Sequence, residues 1–413
     1  MRAMRTLELR KGDFSEKEKR NIEILEILRR YGPISRPDIS KEMGINVVTV
    51  SNYIDDFIRS DLVYEKSLDV SEGGRRPTLL DLNPKAAYTI GVGLNLMNMV
   101  GILMDVRGGI ITKTQIARPR PAVKEITESV LEIIRELLRR SKDYTDGIKG
   151  IGVGIAGLVN KKDGSIHWPQ KVDHHYTYAS VDLPLRDLLE KEFSLPVLVE
   201  NDATAACFGE RWFDLARGYR NVLYMFSGVG CGIMINGEVY TGAQGYAGEV
   251  SVYNFRDDDR FHCDAGCSCF IKRWEMDMGI LEETRARLQR DKAAAASFMR
   301  LTSTPLDKVD LKTIFAAARA QDPLAAGVLE GAAERLGIKI ATLVNLLNPQ
   351  VVVIGGGLEE AGEGFLNKVA QTVKAWAFRE ATDELKIAYS QLRENAVAIG
   401  SASLVMQNIF ARA

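Results

Sequence analysis

The apolar and polar positions near the N-terminus predict three short helices followed by a β-hairpin. Apolar residues repeat at helical spacing over residues 15–30, which indicates a first amphipathic helix. Ser35 is a good cap for a second helix, and a third helix is expected after the tight turn at residues 44–46. Two short strand-like runs, at residues 63–67 and 78–82, follow the third helix.

This order of elements is typical of a winged helix-turn-helix, a module that binds double-stranded DNA. Two helices joined by a short glycine-containing turn, the second rich in small polar side chains, place one helix in the major groove. The hairpin that follows has the features of a wing, with glycines that allow close approach to DNA and arginines at its tip. A small helical domain that binds protein is the alternative. The residues expected to contact the operator are Arg36, Val47, Thr49, Ser51, Asn52, Arg75 and Arg76.

From residue 88 onward the pattern changes to strands that alternate with helices. A strand pair is expected at residues 89–94 and 100–105, a long amphipathic helix at 123–141, and a buried strand at 150–155. A similar alternation recurs later and includes an apolar strand at 350–354. Two α/β halves of this kind predict a duplicated sheet with a ligand cleft between them.

Length and composition indicate a multidomain cytoplasmic protein. The 413 residues are enough for two or three domains, and a net charge of −1 argues against a histone-like basic coat. The sequence shows no secretory signal and no apolar run long enough to span a bilayer, so we expect no membrane partner. Five cysteines, three of them clustered, fit a reducing compartment and a metal site better than a disulfide framework.

Several motifs together resemble the ROK family, which groups sugar-responsive transcriptional repressors with sugar kinases of the actin-like ATPase fold. Their order and spacing match over nearly the whole chain, at residues 73–84, 152–159, 200–210, 227–232, 242–249 and 348–358. The resemblance implies an α/β protein with an N-terminal winged helix-turn-helix, residues 1–84, and a duplicated actin-like (ribonuclease H-like) ATPase-fold domain. The two lobes of that domain are expected at residues 85–200 and 201–413.

The loop that would bind ATP phosphates in a kinase of this family has changed. The family pattern resembles Asp-x-Gly-Gly-Thr, where the Asp serves the metal and the glycines let backbone N–H groups approach the phosphates. Here Gly93 replaces the acid, while Asn95 and Leu96 replace the glycines. We therefore expect no ATP binding and no catalytic residues.

The sugar site implied by the resemblance is only partly kept. Asn201 and Asp202 match a family pair whose Asp is the general base of the kinases, and Glu249 matches a sugar-binding Glu. In a repressor these groups would accept hydrogen bonds from sugar hydroxyls, although Asn201-Asp202 could instead cap a helix. Val252 and Ile271 stand where the family has a sugar-binding His and Glu. The effector is therefore not a plain hexose held in the usual way, or there is none.

A cluster of thiol and imidazole side chains indicates a structural zinc site. Its candidate ligands are His262, Cys263, Cys267 and Cys269. Because His262 and Cys263 are adjacent, three thiolates with a distant fourth ligand are an equal alternative. A degenerate loop with reduced cysteines is the third interpretation.

The sequence as a whole predicts a cytoplasmic transcriptional regulator, a repressor without kinase activity. Its partners would be a double-stranded DNA operator, a small-molecule effector such as a sugar, and further copies of itself in a homodimer or homotetramer. A bifunctional sugar kinase is one alternative. The other is a ligand-independent DNA-binding regulator that a partner protein or zinc controls.

Overall fold

The computed structural model describes residues 9, 14–66, 78–119, 123–171, 178–213, 218–228, 230–250 and 279–413. The helices are α1 (Glu16–Tyr31), α2 (Arg36–Met43), α3 (Val47–Arg59), α4 (Val123–Arg140), α5 (Leu185–Phe193), α6 (Asp202–Phe213), α7 (Ile280–Arg290), α8 (Lys292–Thr302), α9 (Leu311–Arg319), α10 (Pro323–Leu347), α11 (Glu363–Trp376), α12 (Arg379–Thr382) and α13 (Ala396–Ala411). The strands are β1 (Ile34–Ser35), β2 (Val63–Lys66), β3 (Leu79–Leu82), β4 (Tyr88–Leu94), β5 (Asn98–Asp105), β6 (Ile110–Ala117), β7 (Ile148–Ile155), β8 (Leu158–Val159), β9 (Ile166–Lys171), β10 (Tyr178–Leu183), β11 (Val197–Asn201), β12 (Val222–Phe226), β13 (Gly230–Ile235), β14 (Glu238–Tyr240), β15 (Val351–Gly355) and β16 (Lys386–Tyr389).

The N-terminal segment consists of α1, α2 and α3 and a three-stranded antiparallel sheet in the order β1-β3-β2. The side chains of Ser15, Ser35 and Asn46 cap the three helices by accepting hydrogen bonds from first-turn N–H groups. Gly44, in the left-handed conformation, ends α2 and sets the short turn into α3. The predicted helices and both hairpin strands are confirmed. Strand β1 was not predicted, because two residues carry no readable alternation.

The apolar core of the N-terminal segment is continuous with that of the rest of the chain. Val50, Ile54 and Phe57 of α3 are fully buried, as their helical spacing predicts. The same cluster of contacting apolar side chains includes Trp212 of α6 and Phe410 of α13. The N-terminal segment therefore packs on the larger part of the chain through a shared core.

Two five-stranded sheets with the same topology form the larger part of the chain. The first lobe has the order β11-β7-β4-β5-β6, and the second lobe has the order β14-β13-β12-β15-β16. In each sheet the strand that comes first in sequence is central, antiparallel to the second strand and parallel to the fourth. The predicted duplication of an α/β unit is confirmed. A small sheet in the order β10-β9-β8 lies outside this repeat.

The last helix, α13, crosses back to the first lobe and lies directly on its sheet. A Cβ atom built on Gly91 of β4 or Gly152 of β7 would lie 2.0 or 2.1 Å from a backbone oxygen of α13. Helix α13 also crosses α6, where a Cβ on Gly400 would lie 1.7 Å from the carbonyl oxygen of Ala205. Because no Cβ atom tolerates such distances, only glycine permits this packing.

This return of α13 bears on the predicted domain boundaries. The division into residues 1–84, 85–200 and 201–413 stays a prediction, but a helix from the third range completes the packing of the first lobe. Within the described ranges, no helix combines the length and the apolar character that a membrane span requires.

Candidate functional site

Two of the predicted ligand residues stand where β11 ends and α6 begins. The side-chain oxygen of Asn201 accepts hydrogen bonds from the N–H groups of Ala203 and Thr204, at 3.0 and 3.2 Å. Asn201 therefore caps α6, as the alternative interpretation predicted. Its amide nitrogen also donates to an oxygen of Glu249 at 3.5 Å, so the sequence-distant third residue lies beside the pair.

The carboxyl groups of Asp202 and Glu249 have raised pKa values. Asp202 is only 4% exposed, and burial raises its pKa to about 6, opposed by the Ala203 N–H group and the positive charge of Arg118. Burial of the Glu249 carboxyl and then the negative charge of Asp202 raise the pKa of Glu249. Because part of the Glu249 residue is exposed, solvent limits the rise in the pKa of its carboxyl group. The structure thus brings the amide of Asn201 and the carboxyl groups of Asp202 and Glu249 together as a group of hydrogen-bonding side chains.

The turn between β4 and β5, which replaces the family's phosphate loop, is closed by its own hydrogen bonds. The side-chain oxygen of Asn95 accepts from the N–H groups of Met97 and Asn98, at 2.8 and 2.9 Å. The N–H of Leu96 donates to the carbonyl oxygen of Gly356 in the second lobe, at 3.1 Å. The backbone N–H groups that a phosphate would need are therefore already bonded within the protein.

The side chain of Leu96 crosses between the lobes. It is 7% exposed and belongs to the apolar core of the second lobe, together with Ile354 and Leu358. A Cβ atom on Gly357 would lie 3.0 Å from the Cβ of Leu96, which shows how closely the two turns approach. The side chain of Leu96 therefore fills the space between the two turns.

Gly93 stands where the family's phosphate loop has an aspartate, and the structure leaves no room for a side chain there. A Cβ atom on Gly93 would lie 2.5 Å from the backbone nitrogen of Ala398 in α13. Any side chain at this position would collide with the helix. A carboxylate side chain at this position is therefore incompatible with the close packing of α13 on β4.

Lys339 is a half-buried titratable residue that sequence reasoning did not identify. Its ammonium group donates to the carbonyl oxygen of Gly228 at 2.8 Å, which ties α10 to the glycine-rich turn after β12. Burial lowers the pKa of Lys339 to about 8, opposed by the Cys231 thiol. The available signal was a single lysine in the middle of an apolar stretch of α10.

The predicted DNA-contacting residues of α3 lie on or near the exposed face of its first two turns. Asn52 is exposed, and Thr49 and Ser51 are half-buried. Val47 is 39% exposed, and its neighbour Val48, which the sequence analysis did not select, is 67% exposed. Two adjacent β-branched residues at the start of α3 would have been a usable signal, because apolar contacts recognise the thymine methyl group.

Arg36 makes contacts within the protein. Its guanidinium pairs with Glu65 at 3.0 Å and with Asp55 at 3.3 Å, so it joins α2 to β2 and α3. Arg75, Arg76, His262, Cys263, Cys267 and Cys269 lie outside the described residues. Among the residues that the structure does describe, no cluster of His, Cys, Asp and Glu side chains could hold a metal ion.

Helix α6 connects the predicted ligand residues to the N-terminal segment. It begins at Asp202 and ends at Phe213, a length of roughly 18 Å for its 12 residues. Near its end the guanidinium of Arg29 in α1 lies 4.9 Å from the ring centre of Trp212 and donates to the Trp212 carbonyl oxygen at 2.6 Å. Arg211 also forms an ion pair with Glu26 of α1 at 3.3 Å.

The first lobe holds the base of the hairpin through Arg107. This residue, in the turn between β5 and β6, forms an ion pair with Asp81 at 2.8 Å. It also donates to the Leu82 carbonyl oxygen at 2.9 Å and to the Tyr64 hydroxyl at 3.1 Å. Both strands of the hairpin are therefore attached to the first lobe.

Comparison with known proteins identifies the family. A sequence profile of the ROK family matches residues 89–408. The chain belongs to the ROK family. The xylose repressor of Caldicellulosiruptor bescii is 29% identical to this ROK protein over 381 residues, which cover 91% of this chain and 92% of the repressor.

Kinases of the family match a shorter part of this ROK chain. The glucokinase of Halalkalibacterium halodurans is 30% identical over 327 residues, which are 78% of this chain and 95% of the glucokinase. The fold is also that of a ROK family transcriptional regulator, a homologue of the Escherichia coli MLC protein. That crystal structure has a TM-score of 0.69 and 23% identity, and the match covers 96% of this chain and 97% of the other.

The buried carboxyl of Asp202 generates a stability prediction. The pKa of Asp202 rises from 3.8 to about 6 on folding. Ionisation of this carboxyl therefore leaves the free energy of unfolding unchanged below about pH 4, lowers it progressively between about pH 4 and pH 6, and has its full destabilising effect above about pH 6. Asp202→Asn should therefore raise the free energy of unfolding by about 2–3 kcal/mol at pH 8, at about 1.4 kcal/mol per pKa unit. The gain should fall to zero by about pH 4, measured by urea unfolding.

Glu132→Gln, which changes an exposed carboxyl on α4, is the control and should leave stability nearly unchanged. An Asp202→Asn variant that is no more stable than the unmodified protein at pH 8 would show that protein contacts stabilise the carboxylate.

Proposed function

We propose that this chain is a DNA-binding transcriptional repressor that responds to a sugar or a sugar derivative and does not phosphorylate it. One observation carries most of the argument. A capped three-helix segment with a hairpin is attached to the helix that begins at Asp202, and the chain is longer than the part that matches the glucokinase. The match to a xylose repressor over nearly the whole of both chains supports the same function.

We interpret the N-terminal segment as a winged helix-turn-helix. Helices α2 and α3 are joined by the tight turn at Gly44, and the exposed first turns of α3 carry small polar side chains that can reach base edges. The antiparallel β2 and β3 form the base of the wing, whose tip would carry Arg75 and Arg76 to the DNA backbone or the minor groove. The operator would be palindromic, read by two copies of the chain.

Three features argue against kinase activity. The turn at Asn95 uses its N–H groups internally, Leu96 fills the space between the lobes, and the packing of α13 leaves no room for an acid at position 93. Phosphoryl transfer depends on backbone donors and a metal-binding carboxylate at this place. The remaining carboxyl groups, Asp202 and Glu249, are suited to accept hydrogen bonds from an effector.

Helix α6 gives the effector a route to the DNA-binding segment. A ligand held by Asp202 at the start of α6 would favour one arrangement of the two lobes. Arg211 and Trp212, at the other end of the same helix, contact α1 directly. A small rotation of α6 would therefore change the position of α3 relative to its copy in the second chain, and operator affinity with it.

We also propose, on sequence grounds, that Cys263, Cys267 and Cys269 with one further ligand, His262 in the simplest case, hold a structural zinc ion. A closed thiolate shell would order the loop that follows Glu249 and would perform no chemistry. Elemental analysis of protein purified without chelator should find about one zinc per chain, and Cys267→Ser should release it. Protein without metal, with all three thiols reactive, would contradict the proposal.

The DNA-binding proposal predicts a specific defect in Asn52→Ala. With DNA selected by the protein from a random duplex pool, this variant should lose about 1–3 kcal/mol of discrimination at one base pair of each half-site. Arg75→Ala combined with Arg76→Ala should instead weaken binding to all sequences and lower the salt slope by about one to two units. Gln115→Ala, an exposed polar residue of β6, is the control and should behave as wild type. Failure to enrich any sequence would contradict the proposed function.

The alternative function, a bifunctional sugar kinase, predicts ATP-dependent phosphorylation of a sugar, which we do not expect. Protein incubated with ATP, magnesium and a panel of hexoses, pentoses and amino-hexoses should release ADP only at the background rate. A sugar-dependent release of ADP that disappears in Asp202→Asn would establish the bifunctional kinase instead.

A further inference from the structure

The side chain of Val48, in the first turn of α3, is exposed although it is apolar and β-branched. Val48 is 67% exposed and its neighbour Val47 is 39% exposed, while Val50 in the same turn is fully buried. Among the described residues of the N-terminal segment, Val48 is the most exposed large apolar side chain. Packing of the core therefore does not account for valine at this position.

Helix stability does not account for valine at position 48 either. β-branched residues are poorer helix formers than alanine or leucine, and the helix dipole favours an acidic residue in the first turn. The start of α3 is instead held by Asn46, whose side-chain oxygen accepts a hydrogen bond from the N–H of Val48 at 2.8 Å. The cap fixes the backbone that carries the valine. A residue type that local stability disfavours, held in a fixed position on the surface, indicates contact with another molecule.

Val48 shares one face of α3 with Asn52. The two residues are four positions apart in the helix, a spacing that places their side chains one above the other on the same side. Both residues are exposed. Asn52 is the residue to which the proposed function assigns base recognition, so a base pair read by Asn52 has Val48 beside it.

The charges of α3 permit close approach to a polyanion. The first turn of the helix carries no acidic side chain. Its two acidic residues are each paired with an arginine, Asp55 with Arg36 at 3.3 Å and Asp56 with Arg59. These ion pairs offset the negative charges that would otherwise repel DNA phosphates. The exposed apolar side chain therefore lies on a helix whose charge is compatible with DNA.

An exposed valine can distinguish one base from the other three. In the major groove thymine presents its C5-methyl group, and the remaining base edges present hydrogen-bond donors and acceptors. The valine side chain has no group that could bond to those polar edges. Its favourable contact is with the thymine methyl group, because the two apolar groups are removed from water together.

We propose that Val48 contacts the C5-methyl group of a thymine in each operator half-site, beside the base that Asn52 reads. This assignment rests on the proposed function, because it requires α3 in the major groove. Four residues of helix span roughly 6 Å, and successive base pairs are about 3.4 Å apart. The thymine therefore lies about two base pairs from the pair that Asn52 reads, which makes Val48 a second specificity-determining residue.

Replacement of single thymines by uracil tests the contact, because uracil lacks only the C5-methyl group. The DNA is a duplex that the full chain has selected from a random pool, and affinity is measured by fluorescence anisotropy at constant salt. Uracil at the thymine about two base pairs from the Asn52-dependent pair should weaken binding about fourfold for each half-site, the ratio that corresponds to roughly 0.8 kcal/mol for one buried methyl group. Val48→Ser should bind the thymine and uracil duplexes equally. Ile110→Ser, at a 41% exposed β-branched residue of β6, is the matched control and should keep the fourfold difference.

The outcomes separate this inference from the proposed function. Specific binding that is equally strong to every uracil-substituted duplex, or a fourfold loss that persists in Val48→Ser, would overturn the thymine contact and leave the proposed function intact. Selected half-sites without thymine near the Asn52-dependent pair would overturn it in the same way. A protein that enriches no sequence from the pool would contradict the proposed function, and the thymine contact with it.

Discussion

The close packing of α13 on surfaces that lack side chains is the constraint on which the rest of the structure depends. Glycines of β4 and β7 let the helix lie directly on the first sheet, and Gly400 lets it cross α6 at backbone distance. The same helix ends beside α1, where the Asn21 amide donates to the carbonyl oxygens of Ala411 and Ala413. One helix therefore touches the first lobe, the helix that starts at the ligand residues, and the N-terminal segment.

The same packing restricts the turn between β4 and β5. The position that would carry the metal-binding acid is occupied by the approach of α13, and the turn at Leu96 joins the lobes through an apolar contact. An effector bound beside Asn201, Asp202 and Glu249 would act through α6, which begins at Asp202.

The sequence predicted the local structure well, because short-range signals determine it. Ser35 caps α2 as predicted, and the duplicated alternation of strands and helices predicts the two sheets. The grouping of Asn201 and Asp202 with the distant Glu249 followed from the family resemblance, not from spacing. The hydrogen bond between Asn201 and Glu249 is found in the structure.

Long-range packing was beyond sequence reasoning. Nothing local shows that α13 returns to the first lobe, that Leu96 enters the core of the second, or that Arg36 is held by Asp55 and Glu65. These features depend on pairs of residues far apart in the chain. Lys339 was missed for the same reason, because its partner is the carbonyl group of a distant turn.

Native-state hydrogen exchange of the full chain tests the central claim, that α13, α6 and α1 unfold as one cooperative unit. If the glycine-lined packing joins them, amides in the middle of the three helices should exchange through a common opening with the same free energy. That free energy should fall together in all three helices when Arg29→Ala removes the contact with Trp212. Exchange of α1 through a separate opening of clearly lower free energy, unaffected by Arg29→Ala, would contradict the account.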